Sequence, residues 1–557
     1  MTTAHFEHWP PGLPRSLDYP DVPVGALLAG SARRFGDRVF VHRDGTELSF
    51  AELWRRSCRF AHALHDAGIG PGDVVALHMP NRAAYPVAYY GTLLAGATFT
   101  PVNPLLPVPD VAFQLADSGA AAVITYGPSA RVIAAARPQT SVRLVVHVGL
   151  EGAPSTSAVG DADFEEFLAG HPDHAPDVEI DPRTDLAHIS YTGGTTGRSK
   201  GVELPHRNVV VNTLQYACWG SGALPATDAE GGVVLDQIGP ESEWPVRIGS
   251  GVAINLTPWF HAMGTISGLN VPVLTGSTTV LHDRFEPARY LADAERFGVT
   301  TMGGAPALYA ALLSHPDLAT TDLSTVRGIS SGAAPLPQAH INALAERFPD
   351  AVIVEGYGLT EVTMGATAGP TARSALRRAG SVGMPVFDTE VRLVDPRTNV
   401  EVPVGERGEV CIRGPQVMTG YRNRPEETAA VLVDGWLRTG DIGILDPDGY
   451  LSIVDRSKDM LIYKGYNVYP REIEELLMAR PDVAAAAVVG RPDDSVGELP
   501  VAFVVPIAGI PLDEKGLMAE VNESLAPYKR LREVFLIEEI PVSAAGKVLK
   551  RELRTQL

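Results

Sequence analysis

Apolar residues in positions 48–68 recur at the three- and four-residue spacing of a helix face, with Ser49 placed to cap its start and Gly68 to end it. A short apolar run at 74–77 predicts a strand, 83–95 a second helix, and 98–102 and 121–125 further strands. Such alternation is the sequence form of a layered α/β fold with parallel strands. From 390 to 414 the texture changes, because Val391, Leu393, Val410 and Ile412 alternate with polar residues around Asp395-Pro396 and Gly405. This predicts an antiparallel sheet or small β-barrel. Asp446-Pro447-Asp448-Gly449 reads as a turn between strands, and 470–479 as a helix opened by Pro470. The expected fold class is α/β, with a large layered N-terminal domain (1–455, including the small antiparallel barrel) and a smaller α+β C-terminal domain (456–557). Residues 219–255, rich in Gly, Pro and acids and without periodicity, read as a long loop, whether a lid, an oligomer contact or a tolerated surface insertion.

Directly behind the apolar stretch 186–191 stands YTGGTTGRSKG, at 191–201. Gly193, Gly194 and Gly197 let the backbone turn tightly and present N–H groups to an anion. Thr192, Thr195 and Thr196 add hydroxyl donors, and Lys200 a positive charge. It is not a Walker A loop, which requires Gly-Lys followed at once by Ser or Thr. On its own the segment suits either a phosphate cradle or a flexible turn.

Bulk composition narrows the partners. A chain of 557 residues exceeds one ordinary core and predicts at least two domains. Its formal net charge of -20 disfavours nucleic acid and anionic membrane surfaces. Cys58, Cys218 and Cys411 form no CxxC pair, which argues against a disulfide framework or zinc site. The Pro-rich, acidic N-terminus lacks signal-peptide character, and no stretch approaches the roughly 18 apolar residues of a membrane span. A cytoplasmic protein without an integral membrane segment is the default expectation.

Further along come TPWFHAMG at 257–264, SSGAAPLP at 330–337, EGYGLTE at 355–361, GWLRTGDIG at 435–443, DRSKDMLIYKGYNVYPREIE at 455–474 and PVSAAGKVLKREL at 541–553. In this order, and over nearly the whole chain, they resemble the adenylate-forming superfamily of acyl-CoA synthetases, firefly luciferase and peptide-synthetase adenylation domains. The resemblance implies ATP as substrate, Mg2+ as cofactor and coenzyme A as co-substrate. Thr192, Gly193, Gly194, Thr195, Thr196 and Lys200 would hold the departing phosphates. Gly332, Ala333, Ala334, Glu355, Gly356, Tyr357 and Gly358 would line the nucleotide site, with Tyr357 against adenine. Thr360 would reach the α-phosphate, Glu361 the metal, Asp441 the ribose, and Arg456 the ribose and phosphate region. Lys547 would bridge the substrate carboxylate and the α-phosphate. Lys458 matches the hinge of a mobile C-terminal domain whose rotation replaces Lys547 with Lys464 and Gly465, where the pantetheine arm of coenzyme A passes. Trp259, His261 and Gly304 would border the acyl pocket, His261 as its gate, while His206 reads as a helix entry.

Such a site needs no Ser, Cys or His nucleophile, since the carboxylate itself attacks and the protein supplies position and charge. Within the superfamily, the 191–197 variant, VNPLLPVPDVAFQLADSGA at 102–120 and EGYGLTE at 355–361 look most like bacterial medium- to long-chain fatty acyl-CoA synthetases, and Ile462, where aryl-CoA ligases and luciferase commonly carry lysine, shifts the expected substrate class the same way. An aryl acid such as a cinnamate or benzoate is the alternative. A carrier protein in place of coenzyme A is a further alternative, as is a nucleotide-binding protein without turnover. Oligomeric state is left open, a homodimer among the options.

Overall fold

The Ser49 hydroxyl accepts from the Glu52 backbone N–H at 3.2 Å and opens the helix Phe50–Asp66, while Gly68 leaves it at φ 72°. Ser49→Ala is therefore expected to cost about 1 kcal/mol, read as a shift in the urea midpoint at unchanged slope. The other expected elements follow as Val74–His78, Ala84–Leu94, Thr98–Pro101 and Ala120–Tyr126. The computed structural model describes residues 4–149, 161–192, 198–332, 336–456, 459–464, 466–493, 495–507, 509–542 and 548–557, without the side chains of Arg456 and Asn467.

Two large sheets organise the N-terminal part. One has nine strands, in the order Met384–Pro385, Thr367–Ala368, Val352–Tyr357, Gly328–Ser331, Thr301–Gly304, Val252–Asn255, Thr278–Leu281, Val39–Arg43 and Thr46–Ser49. Its centre is parallel, and both outer ends are antiparallel. The second has eight strands, with Thr98–Pro101, Val74–His78 and Ala120–Tyr126 running parallel beside the antiparallel pair Leu186–Thr192 and Lys200–Pro205. Apolar side chains of both contribute to one extended core.

The segment 390–456 forms a five-stranded antiparallel sheet from Glu390–Val394, Arg407–Arg413, Trp436–Leu445, Leu432–Val433 and Leu451–Arg456. Its pairing does not close on itself among the described residues, so of the two forms expected from sequence it takes the antiparallel sheet rather than the small barrel. Beyond it, Leu461–Tyr463, Tyr466–Val468, Val483–Asp493, Gly497–Pro506 and Glu533–Leu536 build a separate mixed sheet. Helices Pro470–Met478 and Glu514–Glu523 cover it around a core of its own that includes Leu461, Ile473, Leu477 and Val488. A large and a smaller domain are thus both present.

The expected long loop at 219–255 is a correction. Trp219 belongs to the helix His206–Ser221, and Ala223–Thr227 pairs with Val233–Gln237 as a hairpin. Trp219 and Trp244 are both fully buried. A Cβ on Gly222 would stand 2.1 Å from Trp244 Cδ2, and one on Gly30 2.1 Å from the Val233 carbonyl oxygen. Glycine lets these backbones close on their neighbours, so the segment is packed against the helix Gly25–Phe35 and is no loose insertion. Its glycines looked like loop signals because close packing and turning use the same residue.

Candidate active site

Parallel strands Val252–Asn255, Thr301–Gly304, Gly328–Ser331 and Val352–Tyr357 end along one edge, where an open α/β sheet binds its ligands. Their carboxyl ends, with parts of the second sheet and the antiparallel sheet, enclose a cavity of about 1060 Å³. Thr192, Lys200, His261, Gly304, Gly332, Glu355, Gly356, Tyr357, Gly358, Thr360, Glu361 and Asp441 all line it. Residues as far apart in sequence as Thr192 and Asp441 thus meet in one space.

One side of the cavity is polar. The Tyr357 hydroxyl donates to Asp441 Oδ2 at 2.6 Å, and strand pairing sets Asp441 opposite Arg456. Glu361, in the short turn Thr360–Val362, receives the Tyr421 hydroxyl on Oε1 at 2.8 Å. Burial, and next the Glu361 charge, push the Tyr421 phenol up, so it stays protonated as the donor. The turn is tightly wound: a Cβ on Gly358 would stand 2.0 Å from the Met364 carbonyl oxygen. Thr363 sits nearly fully buried at φ 68°, a region that β-branched residues avoid, with its hydroxyl donating to the Gln416 carbonyl at 2.8 Å.

Other expected residues have different partners. Lys200 ion-pairs with Glu427 and lies 4.8 Å over the Tyr421 ring, so its charge is already engaged. Glu355 accepts from the Leu336 backbone N–H at 2.5 Å, and burial raises its pKa. It thereby anchors the chain after 335 as well as bordering the cavity. Trp259 is fully buried and is not a lining residue; its indole donates to the Gly268 carbonyl at 2.8 Å. His206 does open a helix, accepting the Val24 N–H on Nδ1 at 3.1 Å. Lys464, at φ 49°, is exposed and does not line the cavity. Gly193, Gly194, Thr195, Thr196, Ala333, Ala334, Lys458, Gly465 and Lys547 lie outside the described residues.

Sequence reasoning expected a helix to open at His206 but missed what the side chains of His206–Ser221 do. At its successive turns Asn208 donates to the Val417 carbonyl (2.6 Å), Asn212 to Gly365 (2.9 Å), Gln215 to Phe387 (2.6 Å), Tyr216 to Thr367 (2.9 Å) and Trp219 to Gly369 (2.9 Å). Tyr216, Trp219 and Gly220 also line the cavity, as do the apolar Met263, Phe285, Ala307 and Leu308. The signal was present as polar and aromatic residues at 208, 212, 215, 216 and 219, a helical spacing.

The sequence profile described as "AMP-binding enzyme" matches residues 28–422, and "AMP-binding enzyme C-terminal domain" matches 472–547. The chain is 37% identical, over 95% of its length and 98% of the relative's, to a feruloyl-CoA synthase of an Amycolatopsis species. It is 32% identical to a long-chain-fatty-acid–CoA ligase of Bacillus subtilis, over 98% of this chain and 96% of that one. The crystal structure of an anthranilate CoA ligase in complex with anthranoyl-AMP superposes with a TM-score of 0.83 at 26% identity, covering 98% of both chains. The protein belongs to the AMP-binding enzyme family. Within that family its class is the AMP-forming acid–CoA ligases.

Proposed function

We propose that the protein activates an aryl acid, of the cinnamate or benzoate type, first as its acyl adenylate and then as its coenzyme A thioester. The observation that carries the acid class is the apolar part of the cavity, where the partly exposed rings of Tyr216 and Phe285 stand among apolar residues beside the polar nucleotide side. The Tyr216 hydroxyl donates to the Thr367 carbonyl at 2.9 Å, which fixes its ring at the cavity wall. The feruloyl-CoA synthase relative supports the same class. Ile462 pointed toward a fatty acid, yet it is about half exposed on the C-terminal sheet and does not line the cavity.

In the first half-reaction a carboxylate oxygen forms a bond to the α-phosphorus of ATP, and the bond from that phosphorus to the β-phosphate bridging oxygen breaks, releasing pyrophosphate. Tyr357 and Asp441 hold the adenosine, the 192–197 segment holds the leaving phosphates, and Lys547 offsets charge between carboxylate and α-phosphate. Glu361 suits a magnesium ion: it is a hard carboxylate donor on the cavity wall, fixed by Tyr421. When bound there, the ion would neutralise phosphate oxygens. In the second half-reaction the thiolate sulfur of coenzyme A bonds to the acyl carbon and AMP leaves, after the C-terminal domain turns about Lys458.

An acid panel of ferulate, 4-coumarate, benzoate, octanoate and palmitate, followed by AMP release with coenzyme A, tests the reading. The expected result is a kcat/KM for at least one aryl acid about tenfold or more above both fatty acids. The reverse order would return the protein to the fatty acyl class.

A further inference from the structure

The end of the chain carries a buried cation that the chemistry above leaves unused. Lys550 has a side chain only 13% exposed, and its ammonium pairs with Glu474 Oε1 at 2.8 Å. The same Glu474 oxygen accepts the Val488 backbone N–H at 2.7 Å, which fixes the carboxylate to the C-terminal sheet. Asp455 and Asp459 also act electrostatically on Lys550, and although burial opposes the charge these three carboxylates outweigh it, so the pKa rises. One turn on, Arg554 donates to Asp459 Oδ1 at 3.2 Å.

Glu474 and Asp459 lie on the C-terminal side of the expected hinge, and Asp455, whose charge also acts on Lys550, lies on the other. Asp455 belongs to the last strand of the antiparallel sheet, Leu451–Arg456, and its Oδ2 accepts the Arg471 N–H at 3.1 Å. Asp459 follows position 458 directly, and Glu474 lies on the helix Pro470–Met478. Lys550 starts the helix Lys550–Arg554, immediately after a bridge between Val542 and Val548 and a Leu549 N–H donated to the Pro541 carbonyl at 2.8 Å. The bridge brackets the segment that contains Lys547.

We infer that Lys550 is a positioning residue for adenylation: its buried ion pair with Glu474, beside the hinge, fixes the chain that leads out of the bridged segment containing Lys547. The inference rests on reading Lys547 as the adenylation lysine. A buried lysine is costly unless paired, so the arrangement holds only while all its partners stay together. The second half-reaction presents a different part of the C-terminal domain, around Lys464, which this cluster does not bracket. Loss of the charge therefore has an unequal effect on the two steps.

The test uses the full-length enzyme and the acid it turns over fastest in the panel. Lys550→Met is expected to lower acid-dependent pyrophosphate–ATP exchange about tenfold or more, because small misplacements of a catalytic group are expensive. Thioester formation from preformed acyl-AMP should stay within about twofold, and Lys550→Arg should restore much of the exchange. Should Lys550→Met fail to fold, Glu474→Gln, which keeps an acceptor for the Val488 N–H, should give the same split. Hydrogen exchange at 541–549 should rise in either variant, a readout independent of the acid. A parallel fall of both half-reactions with Tm, or unchanged exchange at 541–549, overturns the inference. Lys547→Ala measured alongside separates the two ideas: if it retains pyrophosphate exchange, the underlying reading has failed.

Discussion

Lys547→Ala is expected to lower acid-dependent pyrophosphate–ATP exchange by about 10²- to 10³-fold, while thioester formation from preformed acyl-AMP stays within about threefold. The reasoning is electrostatic. When a carboxylate attacks a phosphate that already carries negative charge, the two anions must be brought together in a cavity that excludes much of the solvent. A preorganised ammonium between them acts where its field is least screened. Once the adenylate exists, the attacking group is a thiolate at the acyl carbon, and that ammonium has no anion pair left to bridge. KM for ATP should change less than kcat, since the groups proposed to hold the adenosine end are Tyr357 and Asp441, whose own hydrogen bond is 2.6 Å. Equal loss in both half-reactions would sink the division of labour between the two faces of the C-terminal domain.

Acidification between pH 6.5 and 4 is expected to destabilise the fold sharply, through histidines rather than carboxylates. His78 and His206 are buried and their pKa values fall to about 4, and that of His188 falls to about 3, in each case chiefly by burial. An unfolded histidine titrates near 6.5, so below that pH the unfolded chain binds protons that these sites refuse. The contribution is present in full above pH 6.5 and is lost as pH falls through the folded values. By pH 4.5 each of the three should have forfeited on the order of 2 kcal/mol. His188 sits on the strand Leu186–Thr192 that delivers Thr192 to the cavity, its Nε2 2.9 Å from the Tyr89 hydroxyl oxygen. Activity and unfolding midpoint should therefore decline together. Urea titrations at pH 7 and pH 4.5 measure this, and equal stability at the two would refute it.

How far the chain could be read in advance depended on whether a signal was local. The helix Phe50–Asp66 was legible because its cap, stripe and stop are written within twenty residues. The polar wall of the cavity was legible because Tyr357, Thr360, Glu361 and Asp441 sit in compact motifs. Lys200 was half legible: it reaches the cavity, but its pairing with Glu427 depends on a helix more than two hundred residues away. Trp259 lay in a recognisable motif and still turned inward, since an indole with a carbonyl to bond fills a core as well as a pocket. Open sheet and closed barrel share the same alternation along each strand, so only the pairing of distant edges could separate them. The hairpin Ala223–Thr227 with Val233–Gln237 was hidden because its stability comes from the helix Gly25–Phe35, far upstream.

The helix His206–Ser221 bears on engineering. Five of its side chains fasten backbone carbonyls at 365, 367, 369, 387 and 417, and Gly369 among them lines the cavity beside Tyr216 and Trp219, so the helix ties part of the proposed acid wall to the chain behind it. Grafting another enzyme's wall residues onto this chain would transplant side chains without the template that sets their spacing. A specificity swap should succeed only when the graft includes this helix together with the strands it fastens.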